Sequence, residues 1–287
     1  MHRFGIVLSV VAACTASEHR VGPARSEPAA AATRPPAPVA SVVEAEAPAE
    51  ARREMVDVRT EWCVDGVRGL DEDACYVPGK PGDRTLLVYL HGIVPPERES
   101  PQKTTVEGVV REAAERAGIT ALIPRGHQGL GPTFARSWWA WPTAPDAHTR
   151  TVDGLVARWS TLKKKLEAQS GAPFTRTYLA GSSNGAYFLA ALALRGDCDR
   201  LGFPVDGYAA ISGGAPGGLA VQAGRTRRPV YVGYGLYDAE SPGGAKALAL
   251  TFESAHWPVK RAPHPLGHGA HAVYLDEALA FFDVSLR

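Results

Sequence analysis

TYLAGSSNGAYFLAALAL, residues 177–194, decides how this chain folds. Thr177, Tyr178, Leu179 and Ala180 read as a short buried strand, and Ala186 to Leu194 as a buried helix packed against a sheet. Between them lies Gly181-Ser182-Ser183-Asn184-Gly185. A serine on a sharp strand-to-helix turn needs glycine two residues away on each side, because larger side chains collide with the neighbouring strand and helix. Ser183 meets that spacing and Ser182 does not. The following helix aims its first N–H groups and a partial positive charge at the serine, which favours an anion beside it. Alone, G-x-S-x-G arises by chance in roughly one chain in six of this length. The strand-turn-helix setting and the presence of partners give it weight.

Working outward, strand-like and helix-like runs alternate. Leu86 to Leu90 (LLVYL) reads as a strand ending at His91-Gly92, Val106 to Ala117 as a helix, and Ile119 to Ile123 as a strand. Thr151 to Ala168 follows as a long amphipathic helix; after the elbow helix come strands at Gly207 to Ser212 and Pro229 to Tyr234, then a closing helix at Val273 to Phe282. That order predicts an α/β fold with a mostly parallel central sheet and helices on both faces. Ligands of such sheets bind beyond the carboxyl ends of the strands. His91-Gly92-Ile93, Ser183 and Asp238 all fall there, Asp238 after the last expected strand, and His268 precedes the closing helix.

A serine hydroxyl needs a base, usually a histidine oriented by a carboxylate, to act as a nucleophile at neutral pH. Asp238 is the expected carboxylate, with helix capping as the alternative. His268, flanked by Gly267 and Gly269, is the expected base; His271 competes with it, and His264, between two prolines, reads as structural. The Ile93 and Asn184 backbone N–H groups are the expected oxyanion donors, with His91 expected to hold the loop beside the site and to face the substrate. Between Pro124 and Arg150, Phe134, Trp138, Trp139 and Trp141 either line an acyl or aryl pocket or pack as core. Arg125 and Arg136 either bind an anionic group or pair on the surface.

LLVYLHG, GSSNG, the strand-end Asp238 and the Gly-His at 267–268 resemble the α/β-hydrolase superfamily from about Leu86 to Phe282. Within it, the short H-G-x loop and exported setting are most similar to feruloyl esterase and polyhydroxybutyrate depolymerase-like serine esterases. The resemblance implies two-step acyl transfer through Ser183, His268 and Asp238 on a small-molecule or polymeric ester, with no metal or organic cofactor. A peptidase or amidase, an acyltransferase and a non-catalytic binding lipoprotein are the alternatives on the same fold.

The 287 residues are 45% hydrophobic, ample for one large core. A formal net charge of +1, with the signs interspersed, gives no footprint for nucleic acid. At the start, His2-Arg3, the apolar Phe4 to Ala13 and Val11-Ala12-Ala13-Cys14 resemble a bacterial lipoprotein signal, with residues 1–14 as signal and lipobox and Cys14 as the lipidated residue. The apolar stretch is too short to span a membrane. Residues 15–55, rich in Ala, Pro and Glu, read as a disordered tether to a globular domain at 56–287. The expectation is an exported, monomeric cell-envelope lipoprotein held to a membrane by its acyl chains, with the outer membrane as one candidate, or else a secreted protein. Export permits disulfides, and Cys63 and Cys75 flank a turn-rich segment, so a bridge is expected, leaving Cys198 as a buried thiol.

Overall fold

The computed structural model describes residues 63–95, 100–217 and 219–282, all within the compact unit Arg53–Arg287. The expected signal, Cys14 and the tether lie outside the described residues.

An eight-stranded sheet runs in the order β1-β2-β4-β3-β5-β6-β7-β8. The strands are β1 (Arg68–Asp71), β2 (Ala74–Val77), β3 (Thr85–Leu90), β4 (Thr120–Pro124), β5 (Arg176–Ser182), β6 (Gly207–Ile211), β7 (Val230–Gly235) and β8 (Val259–His264). From β4 through β8 all pairings are parallel, while β1 and β2 are antiparallel to each other and β2 to β4. The helices are α1 (Pro101–Ala117), α2 (Pro145–Ser170), α3 (Asn184–Arg195), α4 (Asp197–Arg200), α5 (Pro242–Ser254) and α6 (Ala272–Phe281).

Strand alternation sorts β3 between two cores. Leu86, Val88 and Leu90 join the cluster under α2, α3 and α5, with Trp159, Leu189 and Phe252. Leu87 and Tyr89 join the cluster under α1 and α6, with Val110, Leu275 and Leu279. Both faces of the central strands are therefore apolar, as a covered parallel sheet requires. On α2, Val152, Leu155, Val156, Trp159, Leu162 and Leu166 are buried at spacings of three and four, one stripe of the helix.

The structure departs from the sequence reading at two helix starts and at three strands. Helices α1 and α2 begin a turn or more earlier than expected, each with proline in its first turn. Proline there needs no N–H partner and has its φ preset, so it opens the helix instead of ending the loop. The segment between Cys63 and Cys75 contains β1 and leads into β2, four-residue strands too short to show alternation. The last is β8, a polar edge strand carrying Pro263, which an edge tolerates. With β8 present, Asp238 does not follow the last strand, and His268 lies beyond the carboxyl end of a strand as well. The Cys63–Cys75 disulfide is present, with Cα atoms 5.7 Å apart, and Cys198 is buried in α4 as a free thiol.

Candidate active site

Ser183 caps α3 with φ 52° and ψ −122°. For a residue with a Cβ this backbone costs on the order of 1–3 kcal/mol and persists only where the surroundings impose it. They do so on both sides: the Ser183 N–H donates to the Ile211 carbonyl (3.0 Å) and its carbonyl accepts from the Tyr187 N–H (3.1 Å). The flanking glycines provide the space. A Cβ on Gly185 would lie 2.2 Å from the Leu90 oxygen, and one on Gly181 2.9 Å from the Gly185 carbonyl carbon. The His91-Gly92-Ile93 loop runs directly against the serine, since a Cβ on Gly92 would stand 3.2 Å from the Ser183 Cβ.

Asp238 follows β7 with its side chain fully buried. One carboxylate oxygen accepts from the Glu240 (2.8 Å) and Ser241 (3.2 Å) backbone N–H groups, and the other accepts from His268 Nδ1–H at 2.9 Å. Burial pushes this carboxyl up, but the Glu240 N–H and the His268 and Ser241 hydrogen bonds outweigh it and hold it below the usual aspartate range. With its Nδ1 proton engaged by the carboxylate, the His268 imidazole keeps Nε2 as a base.

Two serines that the sequence reading did not single out fix the histidine loop. Ser212 Oγ donates to the Gly269 carbonyl (3.0 Å) and accepts the Gly269 N–H (3.2 Å). Ser241 Oγ donates to the Ser212 carbonyl and lies 3.0 Å from His268 Nδ1. The loop also packs against the end of β7, where a Cβ on Gly235 would come within 2.2 Å of the Leu266 oxygen. Ser212 directly follows β6 and Ser241 is the residue before α5, positions that too many serines share to be diagnostic.

Ser183, Ile93, His268, His271, Phe134 and Trp138 line one cavity of about 640 Å³. His271 caps α6, stands edge-on to Tyr274 with ring centroids 5.8 Å apart, and has an enclosed Nε2 without a hydrogen-bond partner. Of the two histidines, His268 is the one bonded to a carboxylate. His264 faces Glu277 at 3.1 Å and Tyr274 edge-on, a packing role.

Three residues expected to face the substrate lie elsewhere. Trp139 and Trp141 are buried in the two cores, because after Trp138 the segment pairs with the loop that follows β3: Val94 and Trp139 exchange backbone hydrogen bonds, and Trp141 stacks on Phe188 at 5.7 Å. His91 is also buried. Its Nδ1–H donates to the Gly92 carbonyl (2.5 Å), its Nε2 accepts the Gly126 N–H (2.9 Å), and burial lowers its pKa to about 4. The Trp141 indole N–H donates to the His91 carbonyl (2.9 Å). Asn184 completes the clasp, its side-chain oxygen accepting the Trp141 N–H (2.6 Å) and its amide donating to the Trp141 carbonyl (3.3 Å). Loop, elbow and tryptophan are thus one hydrogen-bonded unit. Arg125 stacks over Trp139 at 5.0 Å, and neither it nor Arg136 lines the cavity.

No protein-family model matches the sequence, and no curated protein matches it either. Solved structures do match in three dimensions. Acyl-protein thioesterase 2 of Zea mays is similar at a TM-score of 0.53 and 17% identity, over 75% of this chain and 99% of that one. The Bacillus cereus carboxylesterase is similar at 0.52 and 14%, over 76% and 94%. Esterase PE8 is similar at 0.50 and 20%, over 72% and 95%. Identities this low speak for architecture alone, and with the sheet order, the strained serine turn and the covering helices they settle it: the chain has the α/β-hydrolase fold.

Proposed function

We propose that this protein is a serine hydrolase of carboxylic esters in which Ser183 is the nucleophile, His268 the base and Asp238 its orienting acid. One observation carries the reading: the serine held at φ 52° opens on the same cavity as a histidine whose Nδ1 is bonded to a buried carboxylate. His268 Nε2 takes the hydroxyl proton as Ser183 attacks the carbonyl carbon, and the charge that develops on the carbonyl oxygen is met by the Ile93 and Asn184 N–H groups. Asn184 is the first residue of α3, whose opening N–H groups have no partner within the helix. Imidazolium then protonates the departing alcohol, and water, deprotonated by His268, releases the acid from the acyl-enzyme. The chemistry draws on these side chains and the backbone, with no cofactor in any step.

The reading is tested by incubating the folded protein with a fluorophosphonate probe and mapping the adduct. Labelling on Ser183 that disappears after heat denaturation is expected; labelling elsewhere, or none on folded protein, sinks it.

The same proposal places the protein in the cell envelope, tethered through a lipid on Cys14. The Cys63–Cys75 bridge supports an oxidising compartment. Intact mass of the membrane-fraction protein is expected to show the acyl chains on Cys14, and Cys14→Ser to release the protein from the membrane.

A further inference from the structure

A second cavity, of about 560 Å³, also opens on Ser183. The two share Ser183 and Ile93, but His268 borders the larger one alone and Asn184 the smaller one alone. Val109, Phe134 and Trp138 make the larger cavity apolar; Ala144, Tyr187 and Ala215 wall the smaller. Each falls within the ~300–1,000 Å³ typical of small-molecule sites, so each holds a sizeable group by itself.

We propose that the substrate is a two-sided, uncharged ester whose leaving alcohol occupies the larger cavity and whose acyl group occupies the smaller. This rests on Ser183 and His268 acting as described above. The direction of proton flow fixes the assignment. His268 receives the Ser183 proton and must return it to the leaving oxygen as the C–O bond breaks, so that oxygen sits on the His268 side, in the larger cavity. The carbonyl oxygen is turned to the Ile93 and Asn184 amides, and the remaining substituent of the tetrahedral carbon, the acyl chain, points past Asn184 into the smaller cavity. Departure of the alcohol then vacates the space through which water reaches His268. Water gives it a proton and attacks the acyl carbon, and the returned proton restores the Ser183 hydroxyl as the acid leaves.

Charge narrows the class further. Among the described residues neither cavity is lined by a lysine or arginine, and the acidic Glu240 borders the larger one. An anionic group on either side of the ester loses its hydration without gaining a counter-charge, and on the alcohol side it also meets Glu240.

The test uses the full chain with ethyl octanoate, long in acyl and short in alcohol, and 2-naphthyl acetate, the reverse. Ala144→Trp narrows the smaller cavity and Thr105→Trp the larger, both at exposed positions. Ala144→Trp is expected to lower kcat/KM for ethyl octanoate at least tenfold relative to 2-naphthyl acetate, and Thr105→Trp to shift that ratio at least tenfold the other way. A crossed pattern, or an unchanged ratio in both variants, overturns the assignment. For the charge preference, the naphthyl half-ester of succinic acid is expected to turn over at least tenfold less efficiently than naphthyl butyrate; equal rates overturn that part. Calorimetric binding of 2-naphthol reads the larger cavity without turnover, weakened by Thr105→Trp more than by Ala144→Trp. If both esters resist hydrolysis while naphthol binding keeps that pattern, the esterase reading fails and the apolar-alcohol specificity of the larger cavity stands; naphthol affinity lost through Ala144→Trp instead overturns the latter.

Discussion

The elbow at residues 181–185 and the aromatic loop at residues 134–141 lie beside the same serine, yet their residues reach their places by different physics. At the elbow every choice is forced locally: a Cβ on Gly185 would sit 2.2 Å from the Leu90 oxygen, and the serine between the glycines is driven to φ 52°. In the loop, four aromatic side chains of similar size and hydrophobicity are divided by distant partners. Trp139 and Trp141 turn into the cores, while Phe134, which is 81% exposed, and Trp138 face the cavity. Short-range steric necessity leaves a motif in the sequence; a choice between core and cavity, made by residues as remote as Phe188 and Asn184, does not.

The strongest break of this comparison is at the elbow. Ser183→Ala is expected to cut ester hydrolysis on the order of a millionfold while leaving thermal stability unchanged or raised, because the strained turn loses no packing. Activity within tenfold of the native protein would refute the assigned nucleophile. Paired alanine variants of His268 and His271 sharpen it: the first is expected to fall about as far as the serine variant and the second far less. The reverse order would make His271 the base and leave the Asp238–His268 bond a structural contact.

The same distinction explains how much of the fold and the site is legible in the sequence. Parallel strands, the elbow, Asp238 and the glycine-flanked His268 are set by buried apolar runs and by backbone needs that only a few residue types meet. What escaped reading was set by context. The hairpin β1–β2 is too short to show alternation, and β8 is polar because it lies at an edge. Prolines at the openings of α1 and α2 look like loop residues until a helix is seen to follow. Ser212 and Ser241 hold the His268 loop through hydroxyl contacts across 57 and 27 residues of chain, and no local pattern marks them.

Within the loop, tryptophans three apart are expected to behave oppositely. Trp141 is fully buried, stacked on Phe188 and hydrogen-bonded to the His91 carbonyl and to Asn184, so Trp141→Ala is expected to cost about 3–5 kcal/mol of stability. Trp138→Ala removes a wall of the cavity, and is expected to raise KM for aryl esters several-fold with a stability change of less than about 1 kcal/mol. Chemical denaturation and steady-state kinetics on both proteins check the pair. Similar stability losses would mean that the loop packs as one unit and that its division between core and cavity has no energetic meaning.

The smallest expected effect lies in the loop that follows β3, which runs against the elbow. His91 holds the loop by accepting the Gly126 N–H at Nε2, which a protonated ring cannot do, and burial lowers its pKa to about 4. In the unfolded chain the same imidazole takes up a proton near pH 6.5. Between those values the unfolded state binds more protons than the folded one, so stability falls as pH drops through the window and His91's contribution is gone below about pH 4. From pH 7 to pH 5 the loss amounts to about 2 kcal/mol. Other groups titrate over the same range, Glu107 among them, its pKa raised by burial to about 7 and its stability contribution opposite in sign. The imidazole is therefore isolated by difference: denaturant unfolding of the native protein and of His91→Gln at pH 7 and pH 5 is expected to show a pH dependence smaller by about that amount in the variant. Equal dependence in the two proteins would mean that the ring protonates without releasing Gly126, and that Asn184 and Trp141 alone hold the loop against the elbow.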